Sequence, residues 1–144
     1  MTELGQKKTA IMSAIASGQL TNLLADCTFG NGRFEKNGNI SPTNAARYTQ
    51  EYIEVDITKR YFLWCGTTSG VSNLLNARVC QYQNDETFVR MDTEINANTS
   101  NQAKTIKFSN PKIRICFNYY SDLEVGLYDA DRIEEILTSS TVKL

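Results

Sequence analysis

Alternating apolar and polar side chains are the feature that most limits what this chain can fold into. Successive side chains of a β-strand point to opposite faces, so alternation indicates a strand with one buried face. The clearest case is KIRICFNY at residues 112 to 119. One face of this segment carries Ile113, Ile115, Phe117 and Tyr119, and the other carries Arg114, Cys116 and Asn118. The first face is expected to lie in a core.

Seven other segments have strand character, and stretches rich in Asn, Ser, Gly and Asp separate them. The eight predicted strands are Gly32 to Lys36, Tyr52 to Asp56, Tyr61 to Cys65, Ala77 to Tyr82, Thr87 to Met91, Lys104 to Phe108, Lys112 to Tyr119 and Glu124 to Tyr128. Short strands without helices between them indicate an antiparallel sandwich or barrel. We expect this all-β domain to span residues 28 to 137.

A hairpin is predicted within this domain by residues 77 to 92, ARVCQYQNDETFVRMD. Ala77, Val79 and Gln81 are expected on one face, and Arg78, Cys80 and Tyr82 on the other. A turn at Asn84 and Asp85 would return Phe88 beside Tyr82.

Residues 1 to 20 have a helical pattern instead. Leu4, Ile11 and Ile15 fall on one stripe of a helix over residues 3 to 17, with Ala10 and Ala14 beside it. Thr2 is the expected N-cap and Gly18 the expected C-terminal stop. Since helices shorter than about 12–15 residues are marginal alone, this one needs a partner. It either covers its own domain or serves docking and oligomerisation.

The C-terminal segment, DADRIEEILTSSTVKL, is open between two structures. It is either a final helical turn from Asp131 or an edge strand. The pattern of the segment does not distinguish them.

The absence of histidine restricts the chemistry of this chain. His is the side chain whose unperturbed pKa lies between pH 5 and 8, so His-based triads, zinc sites and proton shuttles are excluded. The four cysteines, Cys27, Cys65, Cys80 and Cys116, form no C-x-x-C pair. Free, buried thiols are favoured over the two disulfides that these residues could form in a secreted protein.

The charge balance argues against nucleic acid and membrane partners. The formal net charge of the 144 residues is -1, which gives little attraction to anionic polymers or surfaces. No segment reaches the roughly 20 apolar residues of a membrane-spanning helix. Lys7 and Lys8 before an apolar run imitate a signal peptide, but Glu3, Thr9 and Ser13 break that pattern, so no signal peptide is expected.

No catalytic residue, cofactor or metal is expected. The neighbouring acids Asp122 and Glu124, and Glu134 and Glu135, lie in polar surroundings and indicate solvated surface charge instead of a glycosidase pair. The stretches FGNGRF and CGTTSG lack the spacing of a phosphate loop. The sequence has no dense loop of acidic residues of the kind that binds calcium.

Aromatic side chains remain as candidates for function. Most strand aromatics pack in a core, but exposed ones offer flat surfaces on which a sugar ring stacks. In YFLWCG, Phe62 and Trp64 share a face opposite to Leu63 and Cys65, so one aromatic pair is expected to point away from the core.

The order of four blocks resembles a known kind of domain. They are AARYT (45 to 49), EYIEVD (51 to 56), ARVCQYQNDETFV (77 to 89) and PKIRICF (111 to 117). Together they are similar to the carbohydrate-binding-module-like jelly-roll domain of bacteriophage tail, baseplate and fibre structural proteins. Gln83 stands where such domains usually carry an acidic residue. The N-terminal KKTAIMSAI is similar to short helices of phage tail and fibre proteins.

The resemblance implies an antiparallel β-sandwich, or jelly roll, of about eight strands with a short N-terminal α-helix. It also implies a non-enzymatic virion structural protein, made in the host cytoplasm and exposed on the phage particle. Its expected partners are other virion proteins, further copies of itself, with a trimer favoured, and a host cell-surface polysaccharide. From their chemistry, the candidate glycan-binding residues are Trp64, Tyr119 and Tyr120 as stacking surfaces and Arg114 as hydrogen-bond donor.

Two alternatives stay open. The domain is a decoration, collar or fibre-base protein that binds only virion proteins, in which case a contiguous apolar patch is expected. A glycan hydrolase or lyase would instead need two acids facing into a groove.

Overall fold

The protein is an antiparallel β-sandwich flanked by two helices, and the computed structural model describes residues 3 to 142. In chain order the elements are α1 (Glu3–Ala16), β1 (Phe29–Asn31), β2 (Arg33–Phe34), β3 (Ile40–Ser41), β4 (Ala46–Thr49), β5 (Ile53–Glu54), β6 (Tyr61–Thr67), β7 (Asn73–Tyr82), β8 (Phe88–Thr99), β9 (Asn101–Ile106), β10 (Lys112–Asn118), β11 (Leu123–Asp129) and α2 (Ala130–Val142). The predicted all-β sandwich is confirmed. Within the described range no helix is long and apolar enough to cross a membrane.

Three sheets build the domain, and all their pairs are antiparallel. The six-stranded sheet has the order β1-β4-β10-β7-β8, with β5 also paired to β10. The three-stranded sheet has the order β11-β6-β9, and β2 pairs with β3 in a small hairpin. The main core lies between the two larger sheets. It contains Leu63, Cys65, Leu75, Ala77, Val79, Ile95, Ile106, Ile113, Ile115, Phe117 and Leu127.

The predicted hairpin is formed by β7 and β8. Tyr82 pairs with Phe88, and their rings lie 5.9 Å apart in an edge-to-face arrangement. The N–H of Gln83 donates to the carbonyl of Thr87 (2.9 Å), and Glu86 takes a positive φ of 69° in the turn. The two predicted faces are confirmed, because Ala77 and Val79 enter the main core while Cys80 and Tyr82 pack on the opposite face.

Strand boundaries differ from prediction where pairing overrides local preference. β8 continues past Met91 to Thr99 because β7 begins at Asn73 and supplies partners along that length. β4 was not among the predicted strands, yet it pairs with both β1 and β10. Arg33 and Phe34 belong to the small hairpin.

α1 lies on the outer face of the three-stranded sheet. Ile11 and Ala14 pack against Phe62, Trp64 and Tyr128. Ile15, which the periodicity placed on the buried stripe, is instead 38% exposed. The buried face passes through residues 11 and 14, so the helix is rotated relative to the expected orientation. The expected N-cap, Thr2, lies outside the described residues.

The end of α1 follows the prediction. Gly18 has a φ of 77°, and its N–H donates to the carbonyl of Ile15 (3.1 Å). The N–H of Gln19 donates to the carbonyl of Ala14 (2.8 Å). This pair of bonds is a Schellman motif, in which glycine adopts the left-handed conformation without a steric penalty.

The C-terminal segment forms a full helix, not the single turn or edge strand considered from its sequence. Asp129 Oδ1 accepts hydrogen bonds from the N–H groups of Asp131 (3.0 Å) and Arg132 (3.2 Å) and so caps α2. Ile133 is buried beside Ala130 in the cluster beneath the helices. α2 therefore covers the same sheet as α1.

The β2–β3 hairpin covers part of the outer face of the six-stranded sheet. Phe34 is fully buried there against Cys80, Tyr82 and Cys116. All four cysteines are free, as predicted, and Cys27 is the one that is only half-buried.

Candidate functional site

Tyr119, which alternation placed on the core face of its segment, lies just beyond the end of β10 and is instead 43% exposed. Its N–H donates to the carbonyl of Ala45 (2.8 Å), which anchors the residue beside the loop before β4. The guanidinium carbon of Arg47 lies 3.8 Å from the centre of the Tyr119 ring. Arg47 Nη1 also donates to the carbonyls of Asn44 and Ala46, each at 3.0 Å. One face of the ring is thus covered by a fixed cation, while the side chain stays open to solvent.

Tyr120 lies next to this pair and is held in place by its hydroxyl. The hydroxyl donates to the carbonyl of Leu74 (2.8 Å), and a tight turn follows in which the N–H of Leu123 donates to the carbonyl of Tyr120 (3.0 Å). A shallow pocket of about 260 Å³ is lined by both tyrosines and Arg47. Its apolar lining residues are Phe29, Phe117, Leu123 and Val125.

The chemistry of this pocket suits a ligand with one apolar face and polar groups at its edge. The Tyr119 ring offers an apolar surface, and its hydroxyl both donates and accepts hydrogen bonds. A guanidinium group has five N–H donors, so the two bonds from Arg47 Nη1 leave further donors available. The face of a sugar ring and its hydroxyl groups have this combination of properties.

Trp64 is placed elsewhere. Its side chain points away from the main core, as the alternation predicts, but α1 covers it and leaves the residue 5% exposed. The Lys8 ammonium nitrogen lies 5.6 Å from the centre of its ring and pairs with Glu124 at 2.8 Å. The indole therefore has no open face for stacking in this conformation, and its role in glycan binding stays a prediction.

Arg114 is also apart from Tyr119, on the opposite face of β10. Its guanidinium carbon lies 5.1 Å from the ring centre of Phe34, 5.5 Å from that of Tyr48 and 5.1 Å from that of Tyr52. Arg114 Nε donates to the carbonyl of Thr49 (3.2 Å). The structure brings Tyr119 and Tyr120 together, and it separates both from Trp64 and Arg114.

Arg47 is the contributor to this site that the sequence did not indicate. Arg114 was predicted to be the hydrogen-bond donor beside the tyrosines, but the arginine that lies there is Arg47. The register of β4 on β10 sets Arg47 opposite Phe117, two residues before Tyr119. Only that long-range pairing reveals the contact, although the ARYT block contains the residue.

A second open groove lies between α1 and β11 and has a volume of about 390 Å³. Met12, Ile15 and Phe29 line it and are 52%, 38% and 39% exposed. The Lys8–Glu124 ion pair also lines this groove. This apolar surface is of the kind that a protein partner covers.

The acids considered for catalysis have other partners. Glu124 pairs with Lys8 at 2.8 Å, Glu134 with Lys7 at 3.6 Å and Glu135 with Arg132 at 2.9 Å. Hydrogen bonds from the side chain and backbone of Ser69 lower the pKa of Asp122. A glycosidase needs one acid with a raised pKa, and Asp122 is shifted in the opposite direction.

The buried thiols are also poor nucleophiles. Burial raises the pKa of Cys65 and of Cys80 to about 12, so both stay protonated at neutral pH. Among the described residues, no group of three or more His, Cys, Asp or Glu side chains is placed to hold a metal ion.

Comparison with known families and proteins gives no relative of this chain. No protein-family model matches it, and no curated protein is significantly similar to it. The resemblance to phage jelly-roll domains therefore stays a prediction from the four sequence blocks.

Proposed function

We propose that this chain is a non-enzymatic bacteriophage virion structural protein whose β-sandwich binds a host-surface glycan. The observation that carries the proposal is the exposed Tyr119 ring, backed by Arg47 and adjacent to Tyr120 at a shallow pocket. The sandwich fold and the four sequence blocks support the virion assignment.

The proposed binding mode combines stacking with hydrogen bonds. A sugar ring rests on the open face of Tyr119, and the Tyr119 hydroxyl exchanges hydrogen bonds with its hydroxyl groups, while Arg47 supports the opposite face of the tyrosine ring. Because Arg47 already holds the tyrosine, little side-chain freedom is lost on binding. A shallow site of this size is weak alone, so display of many copies on one particle supplies the avidity.

The test uses the purified protein with immobilised cell-wall polysaccharide of the host or a glycan array. We expect Tyr119→Ala to weaken binding roughly two- to tenfold per site, from the contribution of one aromatic contact. Val89→Ala is the matched control, because Val89 is 42% exposed on β8, away from the pocket. Absence of binding by the wild-type protein, or equal binding by Tyr119→Ala, would contradict the proposal.

A second candidate function is a decoration, collar or fibre-base protein that binds only virion proteins. The groove lined by Met12, Ile15 and Phe29 favours it, because apolar side chains exposed together are expected at a protein interface. A structure of the virion separates the two functions. This candidate predicts that the groove is covered and that the Tyr119 pocket is buried against a neighbouring subunit.

A further inference from the structure

Four arginines on the six-stranded sheet and its hairpin have no acidic partner among the side chains that the structure describes. Arg60, Arg90 and Arg132 each form an ion pair with a carboxylate. Among the side chains that the structure describes, no carboxylate lies within ion-pair distance of Arg33, Arg47, Arg78 or Arg114. Arg47 belongs to the Tyr119 pocket, and the other three lie together on the other side of the sheet.

These three residues, which we call the arginine cluster, lie where the β2–β3 hairpin meets β7 and β10 of the six-stranded sheet. Arg33 precedes Phe34 in β2, and Arg78 Nη1 donates to the Phe34 carbonyl (2.8 Å). The Arg114 guanidinium lies 5.1 Å from the centre of the Phe34 ring. Burial raises the pKa of the Cys116 thiol in this region, and the positive charges of Arg78 and Arg33 oppose that rise.

Each guanidinium of the cluster is held by neutral groups. Arg33 Nη2 donates to Asn118 Oδ1 (2.9 Å), and Arg114 Nε donates to the carbonyl of Thr49 (3.2 Å). The two Nη groups of Arg114 make no hydrogen bond within the described structure and are not fully buried. Its position is set by the rings of Phe34, Tyr48 and Tyr52, so these donors are fixed before any ligand arrives.

The positive charge of the cluster has no counterion within the described part of the chain. Arg33, Arg78 and Arg114 are all half-buried. Arginine side chains withdrawn from water are normally paired with an acid. Two acids of the adjoining strand and turn form ion pairs with other residues: Glu86 pairs with Lys112 at 3.2 Å, and Asp92 pairs with Arg90 at 2.7 Å. The overall charge of -1 conceals this local excess of three cations.

We propose that the arginine cluster binds an oxyanion carried by a saccharide, either the carboxylate of an acidic sugar or a sugar phosphate. The flat, forked guanidinium binds both groups through two parallel hydrogen bonds. The ligand class rests on the proposed glycan function, but the residues differ from those of the Tyr119 pocket. The acidic ligand would thus engage the protein at a second surface.

The experiment titrates the full chain with glucuronate, glucose 6-phosphate and neutral glucose, and follows arginine side-chain signals by NMR. We expect saturable shifts at Arg114 and Arg33 with at least one acidic sugar, and none with glucose. Arg33→Gln is expected to weaken binding at least fivefold. Arg60→Gln is the matched control, since it removes the same charge from an exposed site on another face.

Three outcomes would overturn this inference. They are no saturable shift with either acidic sugar, equal shifts with glucose, and equal weakening in Arg33→Gln and Arg60→Gln, which would reflect net charge alone. Because Arg114 contributes to packing, Arg114→Lys is tested only after its melting temperature is shown to match that of the wild-type protein.

The glycan proposal and this inference can be contradicted independently of each other. If polysaccharide binding depends on Tyr119 but is unchanged in Arg33→Gln and no acidic sugar binds, the cluster inference is wrong and the proposed function stands. If acidic sugars bind at the cluster while Tyr119→Ala binds polysaccharide normally, the Tyr119 site is wrong and the cluster inference stands.

Discussion

Gln81 shows how one buried polar side chain joins two parts of the sandwich. Alternation places it on the face of Ala77 and Val79, and it is 6% exposed. Its Oε1 accepts hydrogen bonds from the N–H groups of Ser109 (2.9 Å) and Asn110 (3.1 Å), and from both of their side chains. The amide therefore fixes the loop that leads into β10.

We expect Gln81→Leu to lower the free energy of unfolding by about 2–4 kcal/mol, because it leaves two backbone N–H groups without an acceptor. Denaturant unfolding measures the change. Gln83→Leu is the matched control, since Gln83 is exposed in the turn of the same hairpin and only its backbone is bonded there. A loss no larger than that of the control would show that the Gln81 bonds do not contribute.

At the residue scale, part of the candidate site could be predicted. Tyr119 and Tyr120 were identified from their chemistry at the end of an obvious strand. Trp64 and Arg114 were placed on the correct faces of their strands, but alternation alone does not say what covers a face. The contact of Arg47 with Tyr119 depends on a strand pairing between distant segments, which no local pattern encodes.

At the scale of elements, α1 is the clearest case of local pattern and tertiary contact acting together. Its helical period and its glycine stop are local properties, and both are confirmed. The orientation of α1 about its own axis, by contrast, depends on contacts with the sheet. Lys7 and Lys8 lie over the rings of Phe62 and Trp64, and Ile15 lines the groove. Because apolar side chains cover a wide arc of α1, the helical period alone did not show which of them would be buried.

We expect Ile11→Asp to detach α1 from the sheet, because Ile11 is 4% exposed and a carboxylate there would be buried without a partner. Trp64 is the single tryptophan of the chain, so its fluorescence reports the event directly. Its emission should shift to the red, with a loss of at least about 3 kcal/mol in the free energy of unfolding.

Ser13→Asp is the control for this prediction, because Ser13 is exposed on α1 and does not line the groove. Its emission should match that of the wild-type protein. An unshifted emission in Ile11→Asp would show that α1 does not depend on this contact.

At the scale of the whole molecule, the groove between α1 and β11 bears on assembly. α1 covers its own domain through Ile11 and Ala14, yet it also presents Met12 and Ile15 to solvent beside Phe29. Both roles considered for the helix are therefore compatible with its position. The predicted trimer stays a prediction.

We expect the protein in solution to have three times the mass of a single chain, measured by light scattering after size-exclusion chromatography. Met12→Asp should shift the mass toward that of the monomer, since the new charge would be buried at the interface. Val89→Asp, which adds the same charge on β8, should leave the mass unchanged. A wild-type monomer at high concentration would contradict this prediction.

Local sequence patterns were enough to predict eight of the eleven strands that the structure describes, the two faces of β7, the β7–β8 hairpin and the end of α1. Alternation, turn chemistry and glycine conformation all act within a few residues. Tertiary contacts set which faces meet, bury Trp64 beneath α1, and bring Arg78 and Arg114 to Phe34. The physical reason is the distance along the chain between the residues that interact. A side chain's own strand sets the direction in which it points, but its burial and its partners come from segments far along the chain.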